Sequence, residues 1–344
     1  MNIAVTGLNA TDNPGPGIPV IRSLREADGC AGRIIGLAYD TLDPGLFMND
    51  IVDHGYLVPY PSSGLDPVFD RIKAIHEREH LDVIVPTLDT EMYLYYKLAD
   101  RLREMGIHTF LPSTEMLNLR GKDTLAAFCT ENDILAPKTM IIRSMQDLHA
   151  IPQRLGYPVF IKGIFYGATK ASTFEEALTS FDKCRQQWGL PIIAQEALQG
   201  PEFNVAALGD GKGETVGAVA MRKTYITDKG KGWAGVSIYD EALLELTRTV
   251  IRKLQWAGGL ELEFVKDKRN GEYYLLEINP RFPAWIYLAT AAGQNLPAAC
   301  VDLALGKPVA VQREYEVGKL FVRCSWDLIS DMKYFEQLTT EGDA

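Results

Sequence analysis

Gly259-Leu260-Glu261-Leu262-Glu263-Phe264-Val265, a turn at Arg269-Asn270-Gly271, and Tyr273-Tyr274-Leu275-Leu276-Glu277-Ile278-Asn279-Pro280-Arg281 together read as a β-hairpin. Side chains alternate faces along a strand. Leu260, Leu262 and Phe264 therefore share one face, joined by Tyr274, Leu276 and Ile278, and that face is expected to be core. With a three-residue loop and Gly271 in the left-handed position, Glu263 faces Glu277 and Glu261 faces Asn279. A two-residue Asn270-Gly271 loop would instead set Glu263 and Glu277 on opposite faces, as in a solvated strand with incidental acids. The first register crowds three carboxylates and an amide on one face. Like charges set opposite each other are destabilising unless neutralised. Hard carboxylate and amide oxygens suit Mg²⁺, which also takes phosphate oxygens. Arg281 stands just beyond the acids, with a planar fork suited to phosphate or carboxylate.

Upstream of the hairpin, the segment from Thr114 carries mixed signals. Thr114–Asn132 and Phe174–Trp188 read as helices. Pro158-Val159-Phe160-Ile161-Lys162 is a strong apolar strand, and Pro191–Leu198 is another. Two apolar runs between Phe203 and Met221 flank Gly209-Asp210-Gly211-Lys212-Gly213, a hairpin signal. Glu241–Trp256 is helical and is closed by Gly258-Gly259. The first 113 residues differ. Ile3-Ala4-Val5-Thr6, Arg33–Ala38 and Asp82–Pro86 are strand-like, and helical periodicity lies between and after them (Pro19–Arg25, Val68–His80, Thr90–Met105). Strand–helix alternation predicts a parallel sheet with helices on its faces. The fold class is therefore α/β plus α+β: an N-terminal parallel-sheet, Rossmann-like domain over 1–113, then an α+β region over 114–325 and a tail over 326–344.

The chain has 344 residues, 47% of them hydrophobic, enough for two or three packed domains. Its formal charge of -10 argues against a nucleic-acid partner, which favours a basic surface. No apolar run approaches the roughly 20 residues that span a bilayer, so no membrane partner is expected. The first residues lack the pattern of a secretory leader. Cys30, Cys129, Cys184, Cys300 and Cys324 are scattered and never in CxxC spacing, so reduced thiols in the cytoplasm are expected and a zinc site is not.

Glu277-Ile278-Asn279-Pro280-Arg281 resembles the ENPR-type motif of ATP-grasp enzymes, especially the carbamoyl-phosphate synthetase and biotin carboxylase branch. The resemblance covers roughly residues 1 to 310 and implies a two-lobed ATP-grasp fold over 114–325, with a lid subdomain at about 135–200. It implies Mg²⁺ (with Mn²⁺ as a substitute) held by Glu263, Glu277 and Asn279. It also implies ATP held by Lys122 and Lys162 at the phosphates, by Glu196 and Leu198 at adenine, and by Glu202 at ribose. An ammonium at a strand end reaches phosphate oxygens well. Each of these residues also has a plain reading, as a surface lysine or a solvated strand end.

One departure from the pattern concerns the loop Gly163-Ile164-Phe165-Tyr166-Gly167-Ala168-Thr169-Lys170. It holds two glycines where relatives are glycine-dense, so fewer backbone N–H groups can cradle phosphate. Lys170 is expected to supply charge there and Arg281 to act on the developing anion. Gly7 to Gly17 lies after the first strand, where ligands of open parallel sheets bind. Its spacing is not a dinucleotide fingerprint. Asp89 and Glu91, in Thr87-Leu88-Asp89-Thr90-Glu91, are candidates for a substrate amine or for helix capping. Arg222, Lys223 and Lys231 flank a segment that reads as a closing loop or a mobile one. The implied activity is an ATP-dependent carboxylate–amine ligase. Its partners are a small-molecule or peptide carboxylate and an amine acceptor, and the reading admits a homodimer. The alternatives are a kinase-like phosphotransferase and a non-catalytic nucleotide-binding regulatory subunit.

Overall fold

The computed structural model describes residues 1–9, 14–27, 29, 32–119, 121–163, 167–227, 232–325 and 327–343, with residue 123 by its backbone only. Cys30, Arg120, Ile164 to Tyr166, Lys231 and the centre of the 7–17 loop lie outside the described residues.

The N-terminal sheet is parallel. Its strands β1 (Ile3–Val5), β2 (Ile34–Ala38), β3 (His54–Leu57) and β4 (Val83–Val85) lie in the order β3-β2-β1-β4. The runs Ile-Ala-Val, Ile-Ile-Gly-Leu-Ala and Val-Ile-Val are buried along their whole length, as parallel strands covered on both faces require. Helices α1 (Gly17–Arg25), α2 (Leu65–Glu79) and α3 (Met92–Glu104) supply apolar stripes; in α2, Val68, Ile72 and Ile75 are buried at helical spacing. The edge strand β3 escapes sequence reading because His-Gly-Tyr-Leu is short and lacks an apolar run. Thr6 and Thr87 emerge together at the carboxyl end of β1 and β4.

The expected helix over Thr114–Asn132 is two helices, α4 (Thr114–Asn118) and α5 (Lys122–Glu131), with Gly121 extended between them. Next come β5 (Thr139–Ile142), α6 (Ile151–Arg154), β6 (Val159–Lys162), β7 (Ala168–Ala171), α7 (Phe174–Trp188) and β8 (Ile192–Glu196). These four strands form an antiparallel sheet in the order β5-β8-β6-β7. β7 takes Ala168, Thr169 and Lys170 out of the expected loop. Thr173 caps α7, accepting from the Glu176 N–H at 3.3 Å.

The third sheet contains β9 (Glu202–Asp210), β10 (Thr215–Ile226), β11 (Gly232–Ile238), β12 (Ala257–Lys266), β13 (Tyr273–Asn279) and β14 (Leu320–Val322), in the order β13-β12-β9-β10-β11-β14. Helix α8 (Glu241–Leu254) packs on β10, α9 (Tyr287–Ala291) and α10 (Leu296–Ala304) pack against α1, and Tyr334 of α11 (Met332–Glu341) donates its hydroxyl to the Leu46 carbonyl at 2.7 Å. β10 runs through Ile226, so Arg222 and Lys223 are strand residues paired with β11, where a loop was expected.

The hairpin forms with a different turn. The Asp267 N–H donates to the Glu272 carbonyl at 2.9 Å, enclosing four residues rather than three. Gly271 has φ +75°, the left-handed conformation expected of it. Along β13 the buried residues are Tyr273 and Leu275, then Ile278 and Asn279. Tyr274 and Leu276, expected in the core, are only half-buried. The burial phase shifts between Leu276 and Ile278.

Two compact units emerge: Met1–Leu117 with Val205–Glu261 and Asn279–Ala344, and Asn118–Asn204 with Leu262–Ile278. The first has a core joining Ile3, Val5, Leu208, Val219, Ile286 and Leu296. Leu338 of α11 is fully buried in that core, so the C-terminal segment belongs to this unit. The second packs Ile142, Val159, Ile161, Phe181 and Ile192. Among the described residues no helix is long and apolar enough to cross a membrane. Cys129, Cys184, Cys300 and Cys324 are free thiols.

Candidate active site

In the second unit, β6 delivers Lys162 at its end, after the buried Val159 and Ile161. Its Nζ donates to Gln195 Oε1 at 2.7 Å, and Gln195 Nε2 donates to Thr139 Oγ1 at 3.2 Å. Neighbouring strands thus hold the ammonium in place. Burial pushes its pKa down to about 8, and Lys122 pushes the same way. The carboxylates of Glu277, Glu263 and Glu202 pull it back up. Lys122 opens α5, is nearly buried, and lies 3.9 Å from Glu277. The structure therefore brings Lys122, Lys162, Glu202, Glu263 and Glu277 into one charged cluster. Sequence reasoning set Glu263 opposite Glu277 and found Lys122, Lys162 and Glu202 separately; Gln195 and Thr139, which steady Lys162, carried no site assignment.

The segment after β8 is pinned from two sides. The Lys266 N–H donates to the Pro201 carbonyl at 3.1 Å and the Lys268 N–H to the Gln199 carbonyl at 2.8 Å. A Cβ on Gly200 would sit 1.8 Å from the Lys266 carbonyl oxygen, so only glycine permits this approach. The Glu196 carboxylate accepts from Arg269 at 2.7 Å. Its other oxygen accepts from the Lys138 N–H at 3.4 Å, and Leu198 follows on the half-buried segment.

Lys170 is exposed and lies in β7, paired with Phe160 of β6. Directly paired residues project to one face, and Phe160 and Lys162 share a face by alternation. Lys170 therefore projects from the same sheet face as Lys162.

In the first unit, Glu261 is nearly buried. Its Oε2 accepts from Arg281 Nη1 at 2.9 Å and from Asn279 Nδ2 at 3.3 Å, while Oε1 accepts from Trp285 Nε1 at 2.7 Å. Arg281 Nε also lies 3.4 Å from Asp89 Oδ2. Glu261 and Asn279, expected to face each other, meet through their side chains. The expected crowd of three acids does not form, because Glu261 turns to Arg281 and Trp285. Among the described residues, no three His, Cys, Asp or Glu side chains gather as a cation cage. The resemblance implied Glu263, Glu277 and Asn279 for Mg²⁺ and left Glu261 aside. Carboxylates beside two lysines are also the mixture that a phosphate–cation pair requires. Trp285 carried no sequence signal, since nothing in its spacing ties it to the hairpin.

Glu91 is fully buried, which removes it as a contact for a substrate amine. Its carboxylate accepts from the Thr87 N–H at 2.7 Å, the Leu88 N–H at 2.8 Å, the Thr6 hydroxyl and the Tyr39 hydroxyl. Burial pushes its pKa up against the pull of these donors. Glu91 fixes the turn that carries Asp89, and Asp89 faces Arg281 instead of capping α3.

Residues 190–322 match the model of a family described as ATP-grasp in the biosynthetic pathway with Ter operon. An acetyl-CoA carboxylase of Dictyostelium discoideum is 26% identical over 203 residues, 55% of this chain and 9% of that protein. The chain spans less than a quarter of the length of the curated relatives it matches. The biotin carboxylase domain dimer of Hydrogenobacter thermophilus 2-oxoglutarate carboxylase, solved with MgADP, ADP and bicarbonate, superposes with a TM-score of 0.71. It is 16% identical, with 93% of this chain and 73% of that one covered. An L-amino acid ligase of Bacillus licheniformis gives a TM-score of 0.66 at 17% identity, over 90% of this chain and 75% of that one. The fold shared with these proteins is the ATP-grasp fold.

Proposed function

We propose that this chain, an ATP-grasp protein by its fold, is an ATP-dependent carboxylate–amine ligase working through an acyl-phosphate. Residues 1–113 serve as the domain preceding the ATP-grasp region at 114–325, whose lid is about 135–200, and 326–344 is the tail. The observation that carries the reading is the charged cluster around Lys162, in which two ammonium groups and three carboxylates meet. Such a mixture suits a nucleotide's phosphates together with a divalent cation. The likeness to a structure solved with MgADP supports ATP and Mg²⁺ as the ligands, with Mn²⁺ as the alternative hard ion.

Glu263, Glu277 and Asn279 hold the ion, which when bound neutralises phosphate charge. Lys122 and Lys162 take phosphate oxygens, the 196–198 backbone and Glu196 frame the base with Leu198, and Glu202 meets the ribose. A substrate carboxylate oxygen attacks the γ-phosphorus and ADP leaves. The amine nitrogen then attacks the acyl carbon and inorganic phosphate leaves. Arg281 and Lys170 stabilise the anionic charge that develops, so the protein contributes positioning and electrostatics. The acceptors are a small-molecule or peptide carboxylate and an amine, and a homodimer in the cytoplasm is the expected state.

The test is ADP release across a panel of amino acids and dipeptides, with mass spectrometry of the products. A product heavier than either substrate and formed with loss of water supports ligation. A stable phosphorylated product shows a phosphotransferase instead. ADP binding without acceptor-dependent turnover shows a regulatory subunit.

A further inference from the structure

Glu261 is left over once the metal set is assigned, yet it is nearly buried and holds three donors. An amide's two ends point in different directions. Asn279 gives its Nδ2 to Glu261, so its Oδ1, the atom a hard cation accepts, is turned the other way. The same carboxylate oxygen holds Arg281, and the Trp285 indole holds the other oxygen, so the carboxylate itself cannot swing. The geometry points to Glu261 as a positioning residue: it sets which end of Asn279 faces the cation and locks Arg281 beside it. This rests on the proposed metal set.

Glutamine at 261 would keep the volume but not the function. A carboxamide has one acceptor oxygen, and here donors approach both ends. Either Trp285 or the Asn279–Arg281 pair would meet an N–H₂ group, and the amide of Asn279 would lose its fixed orientation. Groups that orient metal ligands typically set affinity by about ten- to a hundredfold.

The experiment uses the full chain and measures binding of AMP-PNP by calorimetry, in EDTA and across a Mg²⁺ titration. Glu261→Gln is expected to raise the half-saturating Mg²⁺ concentration about tenfold or more. The affinity in EDTA should be unchanged, which a general loss of structure would not allow. Trp285→Phe frees only Oε1 and should give a smaller shift in the same direction. It is the variant to rely on if Glu261→Gln does not fold. Wild-type Mg²⁺ dependence in both variants, or an equal loss with and without Mg²⁺, overturns the assignment of Glu261. A wild-type protein whose AMP-PNP affinity ignores Mg²⁺ overturns the metal reading itself.

Discussion

Asn279 donates its side-chain amide to Glu261 across 3.3 Å, although the two lie 18 positions apart. The hairpin turn around Gly271 makes that contact, and the phase shift along β13 leaves Glu277 half-buried while Asn279 is buried. Alternate residues of one strand thus carry a carboxylate and an oriented amide, and the chemistry assigned to them should be separable from the fold.

Glu277→Gln and Asn279→Ala are therefore expected to abolish Mg-ATP-dependent turnover while circular dichroism stays native. ADP release measured with the best acceptor of the panel checks this. Unchanged release in both variants would remove the metal role from these residues.

Lys162 gives a pH dependence with a definite sign. Its folded pKa of about 8 lies below the ~10.4 of a free lysine. Between these values the unfolded chain binds more protons, so this group makes folding more favourable as pH rises through the window. Nucleotide binding runs the other way, because phosphate needs the ammonium charged. ADP affinity should fall from about pH 8 upward in the wild type. Lys162→Arg should flatten that fall, since guanidinium stays charged. Calorimetry from pH 7 to 9.5 in one buffer series decides it, and a parallel decline in both proteins would exclude Lys162 as the titrating group.

Glu91 should tolerate one substitution and not another. In Glu91→Gln the amide oxygen can still accept from Thr6, Thr87 and Leu88, and its N–H₂ can donate to the Tyr39 hydroxyl oxygen. Glu91→Ala leaves the Thr87 N–H its second acceptor, Thr6 Oγ1, but strands the Leu88 N–H and takes the acceptor from the Thr6 and Tyr39 hydroxyls, each unsatisfied group costing about 1–3 kcal/mol. Urea denaturation should show a loss of roughly 2–5 kcal/mol for alanine and far less for glutamine. Equal losses would show that the carboxylate charge, rather than its acceptor oxygens, holds the turn.

The architecture was legible wherever a period was long enough to read. β1, β2 and β4 are uninterrupted apolar runs, and α2, α7 and α8 carry clear stripes, so the parallel domain and the mixed region after it stood out. β3, β7 and β14 did not, because three or four residues with few β-branched side chains carry too little pattern. The charged residues of the site were legible as types at strand ends and in one motif. Their partners were not: Glu196 with Arg269, Glu261 with Trp285 and Lys162 with Gln195 are long-range pairs that tertiary packing alone creates. The turn of the hairpin encloses one residue more than expected, and the burial phase changes along β13, which leaves Tyr274 and Leu276 half-buried.

Lys170 carries the last prediction. The segment before it has two glycines, so backbone N–H groups alone make a poor phosphate cradle. The register with Phe160 fixes Lys170 on the same sheet face as Lys162, and the side chain is exposed, so it can move without breaking a core contact. A charged hydrogen bond is typically worth about 1.5–3 kcal/mol. If Lys170 makes that bond only as charge develops on the transferring phosphoryl group, its removal lowers turnover and leaves KM nearly unchanged. Lys170→Ala should then reduce turnover roughly ten- to a hundredfold, since about 1.4 kcal/mol is tenfold. Lys170→Arg should retain part of the rate, because the charge remains while the donor geometry changes. Steady-state kinetics on the acceptor found by the panel separates the outcomes. A raised KM with normal turnover would place Lys170 in ground-state nucleotide binding, and normal values for both would leave it a surface residue of β7.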